Sequence, residues 1–188
     1  MKHLAAANVH APRLFNTSFT NALMGKIDGF SPPELCQLHQ FNLWQKFEKR
    51  GKGLPPVLAN RCYKAFVNSN QQSRQFSIQR DVIQTLHSMG LKTKADVMTK
   101  QGYHVDVMVE LEDGKKVTIE INVRRHLIGK KPTGSTLLKR RQIANVEWIK
   151  LVNIVHWDWE QLGQYRGQQG RAKKQSFLRG MLGIFPRR

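Results

Sequence analysis

Asp106, Glu120 and Asn122 are the side chains whose types and spacing could do chemistry. Asp106 lies in a run where Val105, Val107, Val109 and Leu111 alternate with polar or mixed residues. Glu120 and Asn122 lie in a second run, built on Val117, Ile119, Ile121 and Val123. Alternation at period two is the pattern of a strand with one apolar face. Carboxylates on adjacent strands can hold a divalent cation, and a polar cluster of this kind can also bind a phosphate. The other reading is a solvated outer sheet face with Lys and Arg nearby.

The turn between the runs sets the register. A two-residue Asp-Gly loop would pair Val109 with Thr118 and mix the faces. A three-residue loop with Gly114 in the left-handed conformation pairs Val109 with Val117 and Val107 with Ile119. That register places Asp106 opposite Glu120 and His104 opposite Asn122. Like charges directly opposed on one face repel, so the pair needs a physical reason.

The second constellation is basic. Residues 124–141 hold seven Lys and Arg and no acid. Arg124, Arg125, His126, Lys130 and Lys131 come first, then Thr133 and Ser135, then Lys139, Arg140 and Arg141. Thr133 or Ser135 caps a short helix running to Ala144, and a helix start favours an anion. Phosphate-backbone binding is the reading taken. Arg171, Lys173 and Lys174 extend the basic character toward the C-terminus. Trp157 and Trp159 follow a buried strand, with at least one ring expected in the core and the other available for stacking.

Charge agrees with a polyanionic partner. The 188 residues carry 31 Lys and Arg against 13 Asp and Glu, a net +18. Residues 121–188 account for 15 basic and 3 acidic side chains, or +12, whereas residues 31–121 hold 13 and 9. Such a concentrated excess points first to nucleic acid and second to an anionic membrane surface. No apolar run approaches a membrane span; of the two, nucleic acid is the partner taken and no membrane, with a peripheral membrane protein kept as a third reading. Cys36 and Cys62 are two isolated thiols in apolar helical patterns; they read as buried and inert in a reducing compartment, with a single disulfide the lesser alternative. No zinc-ligand spacing is visible, and no cofactor is expected.

The elements that must position these residues follow in order. Residues 1–30 read as a basic N-terminal extension without an acid before Asp28, similar in that respect to an organelle presequence, or as an extended arm held by a partner. Residues 31–72 read as a helical hairpin. Its first helix starts at Ser31-Pro32-Pro33-Glu34, a capping box, and carries Leu35, Leu38, Phe41, Trp44 and Phe47 as an apolar stripe. Trp44 and Phe47 could form a base-stacking box, but core packing is the reading favoured. Leu58, Cys62 and Phe66 share one face of the second helix. From residue 73 to 185 the order is α-β-β-β-α-β plus a terminal helix, an α/β (α+β) arrangement. Ser73 caps its first helix, with Ile78, Val82, Leu86 and Met89 inward and Gly90 as the stop. Residues 92–99 form a strand, residues 124–134 a loop, and residues 147–156 a strand covered on both faces.

This order, with Asp106 on the second strand and Glu120 on the third, is similar to the PD-(D/E)xK, restriction-endonuclease-like superfamily. That likeness implies a lysine at the position of Asn122, which offers an oxygen but no positive charge. The stretches Gly102-Tyr103-His104-Val105-Asp106, Glu120 to His126, Thr133-Gly134-Ser135-Thr136 with Lys139-Arg140-Arg141, and His156-Trp157-Asp158-Trp159 together resemble the RAP domain, named for its abundance in apicomplexans. The resemblance covers residues 35–182 and is most specific from Thr133 to Arg141. Asn122, Val123 and Arg124 stand where the family has Asp-Gly-Pro. The resemblance implies organellar RNA binding on a nuclease-like fold, in mitochondria or alternatively chloroplasts. Without the helical repeats that often precede such a domain, a short chain is expected to act as a non-catalytic structural component of an organellar ribosome, contacting rRNA and other ribosomal proteins. The alternative is a metal-dependent endonuclease or RNA-processing factor, in which Asp106 and Glu120 would bind Mg²⁺ and Lys139 or His126 would replace the missing base.

Overall fold

A computed structural model describes residues 2–9, 15–49, 51–70, 77–147, 149–165 and 167–184. The fold is mixed α/β, with one four-stranded mixed sheet. By contacts the chain forms two compact units that are not linear in sequence. The first comprises residues 1–72, 100–103 and 133–148; the second comprises residues 73–99, 104–132 and 149–188.

The first unit is helical. It contains α1 (Lys2–Ala7), α2 (Thr17–Met24), α3 (Pro32–Leu43), α4 (Pro56–Asn70) and α6 (Gly134–Glu147). The start of α3 is held by Glu34, whose Oε2 accepts from the Ser31 N–H at 2.8 Å and from its hydroxyl at 2.6 Å. Leu35, Leu38 and Phe41 are buried with Leu58 and Cys62 of α4, Ala5 of α1, Leu23 of α2 and Leu138 of α6. Among the described residues of the N-terminal segment, α1 and α2 are helices rather than an extended arm, and they bury Ala5 and Leu23 in this core.

The stripe on α3 breaks at its end. Residues Trp44–Glu48 form a π turn, with the Lys49 N–H donating to the Trp44 carbonyl. Trp44 is fully buried, but the wider turn rotates the next position outward and Phe47 is 44% exposed. The chain then reverses through Gly53 at φ +71°, where a Cβ would fall 2.6 Å from Asn42 Oδ1. That oxygen accepts from the Leu54 N–H at 2.8 Å, so the turn and the helix are tied together.

The second unit holds α5 (Ser77–Ser88), β1 (Lys92–Met98), β2 (His104–Glu110), β3 (Lys116–Asn122) and β6 (Lys150–Val155). It also holds a two-residue pair, β4 (Leu127–Ile128) and β5 (Lys131–Pro132), and two terminal helices, α7 (His156–Leu162) and α8 (Gly167–Leu182). Strand order is β1-β2-β3-β6; the first two pairings are antiparallel and the last is parallel. Val107 pairs with Ile119 and Val109 with Val117, the register that a Gly114-based turn demands, and Gly114 has φ +76°. Val105, Val107, Val109, Val117, Ile119 and Ile121 are all buried, and all but Val105 enter a core that also takes Val82 and Leu86 of α5, Trp159 of α7, and Leu178 and Leu182 of α8. Full burial of each such side chain contributes about 1.5–3 kcal/mol.

Several boundaries differ from the sequence reading. The expected cap Ser73 lies outside the described residues, and α5 is described from Ser77. The expected loop after β3 contains a 3-10 turn (Arg124–His126) and the small β4/β5 pair. Helix α6 continues past Ala144 to Glu147. Strand β6 alternates in burial rather than being covered on both faces, and His156 already belongs to α7.

Candidate nucleic-acid interface

The register carries Asp106 and Glu120 onto neighbouring strands, as the hairpin demands. Their environment then decides what they can do. The hydrogen-bonded ladder between β2 and β3 is regular as far as Val107–Ile119. Beyond it the Asp106 carboxylate turns onto the backbone, with Oδ2 accepting from the Ile121 N–H at 2.6 Å. A carboxylate on a peptide N–H is a strong, charge-assisted bond. Glu120 is 7% exposed and Asn122 2%. The Asn122 amide donates to Asn153 Oδ1 at 3.3 Å, and its backbone carbonyl accepts from His156 Nδ1 at 3.1 Å.

Sequence reasoning missed three participants. Gln79 of α5, 1% exposed, donates through Nε2 to the Asp106 carbonyl at 2.8 Å and to Asp96 Oδ1 at 3.2 Å. Asp96 sits in β1 at φ +50°, between the paired residues Ala95 and Val97. Asn153 stands beside Glu120 in the parallel pair. A polar Gln on the inward face of an amphipathic helix was the available signal for the first; nothing local marks the other two. The group therefore ties helix to sheet and strand to strand. Within it Asp106 Oδ2 accepts a peptide N–H and Asn122 donates through Nδ2, and residue 122 is Asn where a lysine would supply a positive charge. Among the described residues no three His, Cys, Asp or Glu side chains gather into a cation-holding group.

The basic residues are divided between the two units. Arg124, His126, Lys130 and Lys131 belong to the second unit, as do Arg171, Lys173 and Lys174; Thr133, Ser135, Lys139, Arg140 and Arg141 belong to the first. The Arg125 side chain lies outside the described residues. In the second unit Arg124, Lys130 and Lys131 are exposed around the β4/β5 pair, beside Ile128 at 75% exposure. Arg171, Lys173 and Arg179 are exposed on α8, with Lys173 Nζ 4.4 Å from the Tyr165 ring centroid. In the first unit Thr133 is the cap of α6, its Oγ1 accepting from the Thr136 N–H at 3.2 Å; Ser135 is exposed, and Lys139 and Arg140 are half-buried.

Two of the expected phosphate ligands make ion pairs within their own units. Arg141 bonds Glu48 at 2.5 Å and donates to the carbonyls of Ala5 and Ala6, joining α6, α1 and the π turn. Lys174 bonds Asp81 at 2.7 Å, and the same Asp81 oxygen accepts from Trp159 Nε1 at 2.8 Å. Trp159 is accordingly the core ring of the tryptophan pair, while Trp157 is half-buried against His156.

Counted by unit, the charge is even. The first unit holds 13 basic and 4 acidic residues and the second holds 18 and 9, so each carries +9. Among the described residues, no helix is long and apolar enough to cross a membrane. No family model matches the chain, and a search of curated proteins finds no match.

Proposed function

We propose that this protein is a non-catalytic RNA-binding protein that contacts rRNA as a structural component of an organellar, mitochondrial ribosome, through a RAP-like domain with a nuclease-like αβββαβ core. The observation that carries the reading is the contrast within the second unit. Its cations at Arg124, Lys130, Lys131, Arg171 and Lys173 are exposed, while Asp106 and Asn122 are bonded inward. Exposed cations on a chain of +18 bind a phosphate backbone without needing a metal. The order of the longer elements, α5-β1-β2-β3-α6-β6 with the short β4/β5 pair before α6, supports the nuclease-like reading, with α6 itself packed in the first unit. Ribosomal proteins would be the protein partners.

The test is a salt titration of single-stranded and structured RNA binding. Each phosphate neutralised adds roughly 0.7–0.9 to the log-log slope. Changing Arg124, Lys130 and Lys131 together to Ala flattens that slope by about 2–3. Wild-type affinity that is insensitive to salt, or a triple variant with an unchanged slope, refutes the assignment. Labelled RNA incubated with the protein and Mg²⁺ stays intact; cleavage abolished by Asp106→Asn would reverse the ranking in favour of an endonuclease.

A further inference from the structure

A cavity of about 520 Å³ opens in the first unit between the start of α2, the end of the π turn and the reversing loop at residues 51–56. Phe15, Phe19 and Phe41 line it, with ring centroids 4.6 Å apart for Phe15–Phe41 and 5.4 Å for Phe15–Phe19. Phe41 is 2% exposed and belongs to the core; Phe15 and Phe19 are half-buried and keep part of their surface open. The loop is bare on this side because residues 51 and 53 are Gly; a Cβ at Gly51 would fall 2.8 Å from Gln45 Oε1, which places that amide under the loop. Lys49 and Lys52 also line the cavity, Lys49 lying 5.5 Å from the Trp44 ring centroid. Among the described residues that line it, none carries a carboxylate.

These groups define a ligand. Half-open aromatic rings offer a flat partner a stacking surface. An amide reads a hydrogen-bonding edge. Two ammonium groups without an opposing carboxylate in the lining favour an anion. A purely aliphatic guest would use neither the amide nor the cations. An aromatic base joined to a phosphate uses all three, and the volume lies within the range of small-molecule sites. We propose that the cavity takes one unpaired nucleotide, its base against Phe15 and Phe19 and its phosphate toward Lys49 and Lys52. In an RNA strand this deepens the RNA-binding reading and rests on it; as a free nucleoside monophosphate it does not.

The test uses the full chain and two fluorescent probes: a short single-stranded RNA carrying one 2-aminopurine, and free 2-aminopurine riboside monophosphate. Stacking quenches the base. Quenching by the full chain is expected. It should be lost, with affinity down about fivefold or more, in Phe15→Leu/Phe19→Leu, which keeps apolar volume but removes the π faces. Lys52→Glu, an exposed substitution that leaves the core untouched, weakens the same signal. Quenching of the strand alone assigns the site to RNA, and quenching of the free nucleotide assigns it to a diffusible ligand. Absence of quenching with both probes overturns the proposal, as does quenching that survives in both variants when circular dichroism shows them folded. If the strand still binds with a steep salt slope in that case, the cavity assignment falls and the RNA-binding reading stands. If neither probe binds and the salt slope is flat, both fall.

Discussion

Arg141 discriminates between a cation that grips RNA and one that holds the protein together. Replacing it with Met removes a guanidinium that is 24% exposed from a Glu48 side chain that is 6% exposed. It also removes the donor to the Ala5 and Ala6 carbonyls. Breaking a buried pair by deleting one partner costs about 3–5 kcal/mol, because the remaining charge is left without compensation. In a chain of this size each kcal/mol shifts Tm by about 2–4 °C, so Arg141→Met lowers Tm by roughly 6–20 °C. Circular dichroism melting measures this directly. Arg141→Met combined with Glu48→Met removes both charges, and an apolar pair of similar volume is close to neutral, so most of the loss is recovered. RNA affinity of the folded double variant stays within about twofold of wild type, since neither side chain is then assigned to phosphate. A Tm within a degree or two of wild type for the single variant, coupled with a fall in RNA affinity like that of the Lys130 and Lys131 substitutions, would refute the reasoning and return Arg141 to the interface.

Three further outcomes follow from buried polar groups in the first unit. His39 is 2% exposed, its Nε2 donates to the Gln101 carbonyl at 2.9 Å, and its buried Nδ1 has no partner among the described residues; burial holds its pKa below the usual histidine value, partly offset by that hydrogen bond. The unfolded chain then binds the proton more readily, so this residue's stability contribution is complete above about pH 6.5 and declines as pH falls through the unfolded value toward the folded one; melting at pH 5 and pH 8 shows a smaller difference for His39→Gln than for wild type, and equal differences would exclude His39 as a source. Tyr103, buried, donates to Gln142 Oε1 at 2.5 Å and accepts from Gln40 Nε2 at 3.1 Å, so Tyr103→Phe strands two amides and costs about 1–3 kcal/mol in urea unfolding, a null effect showing the bonds to be dispensable. Burial pushes the Cys62 thiol up to about 11, aided by Cys36 nearby, whereas Cys36 is half-buried with its thiol on Ser69 Oγ at 3.3 Å; a thiol reagent at neutral pH modifies Cys36 in the native protein and Cys62 only after unfolding, and equal rates would contradict the burial.

Much of the second unit was legible in the order of residues. Period-two alternation and one glycine at the turn specify the β2–β3 register, because a slip by one residue would turn every valine to the wrong face. The inward face of α5 and the capping box at Ser31 depend on neighbours within one helical turn and could be read the same way, whereas the cap of α6 was open between Thr133 and Ser135 until the structure placed Thr133 Oγ1 on the Thr136 N–H. Other features needed partners remote in sequence. The pairings of Arg141 with Glu48 and of Lys174 with Asp81 each join residues 93 positions apart, α6 enters the first unit through partners far from it in sequence, and charge patterning alone cannot separate a buried cation from an exposed one. Phe47 fits a helical stripe on paper and leaves it because a π turn inserts there; the acid-poor N-terminal segment reads as an arm until α1 and α2 find a core to bury against. Sequence alone thus determined which faces are apolar and where the turns lie, since those follow from local periodicity. Tertiary structure decided which charges are available to a partner, since that depends on which of them meet inside the fold.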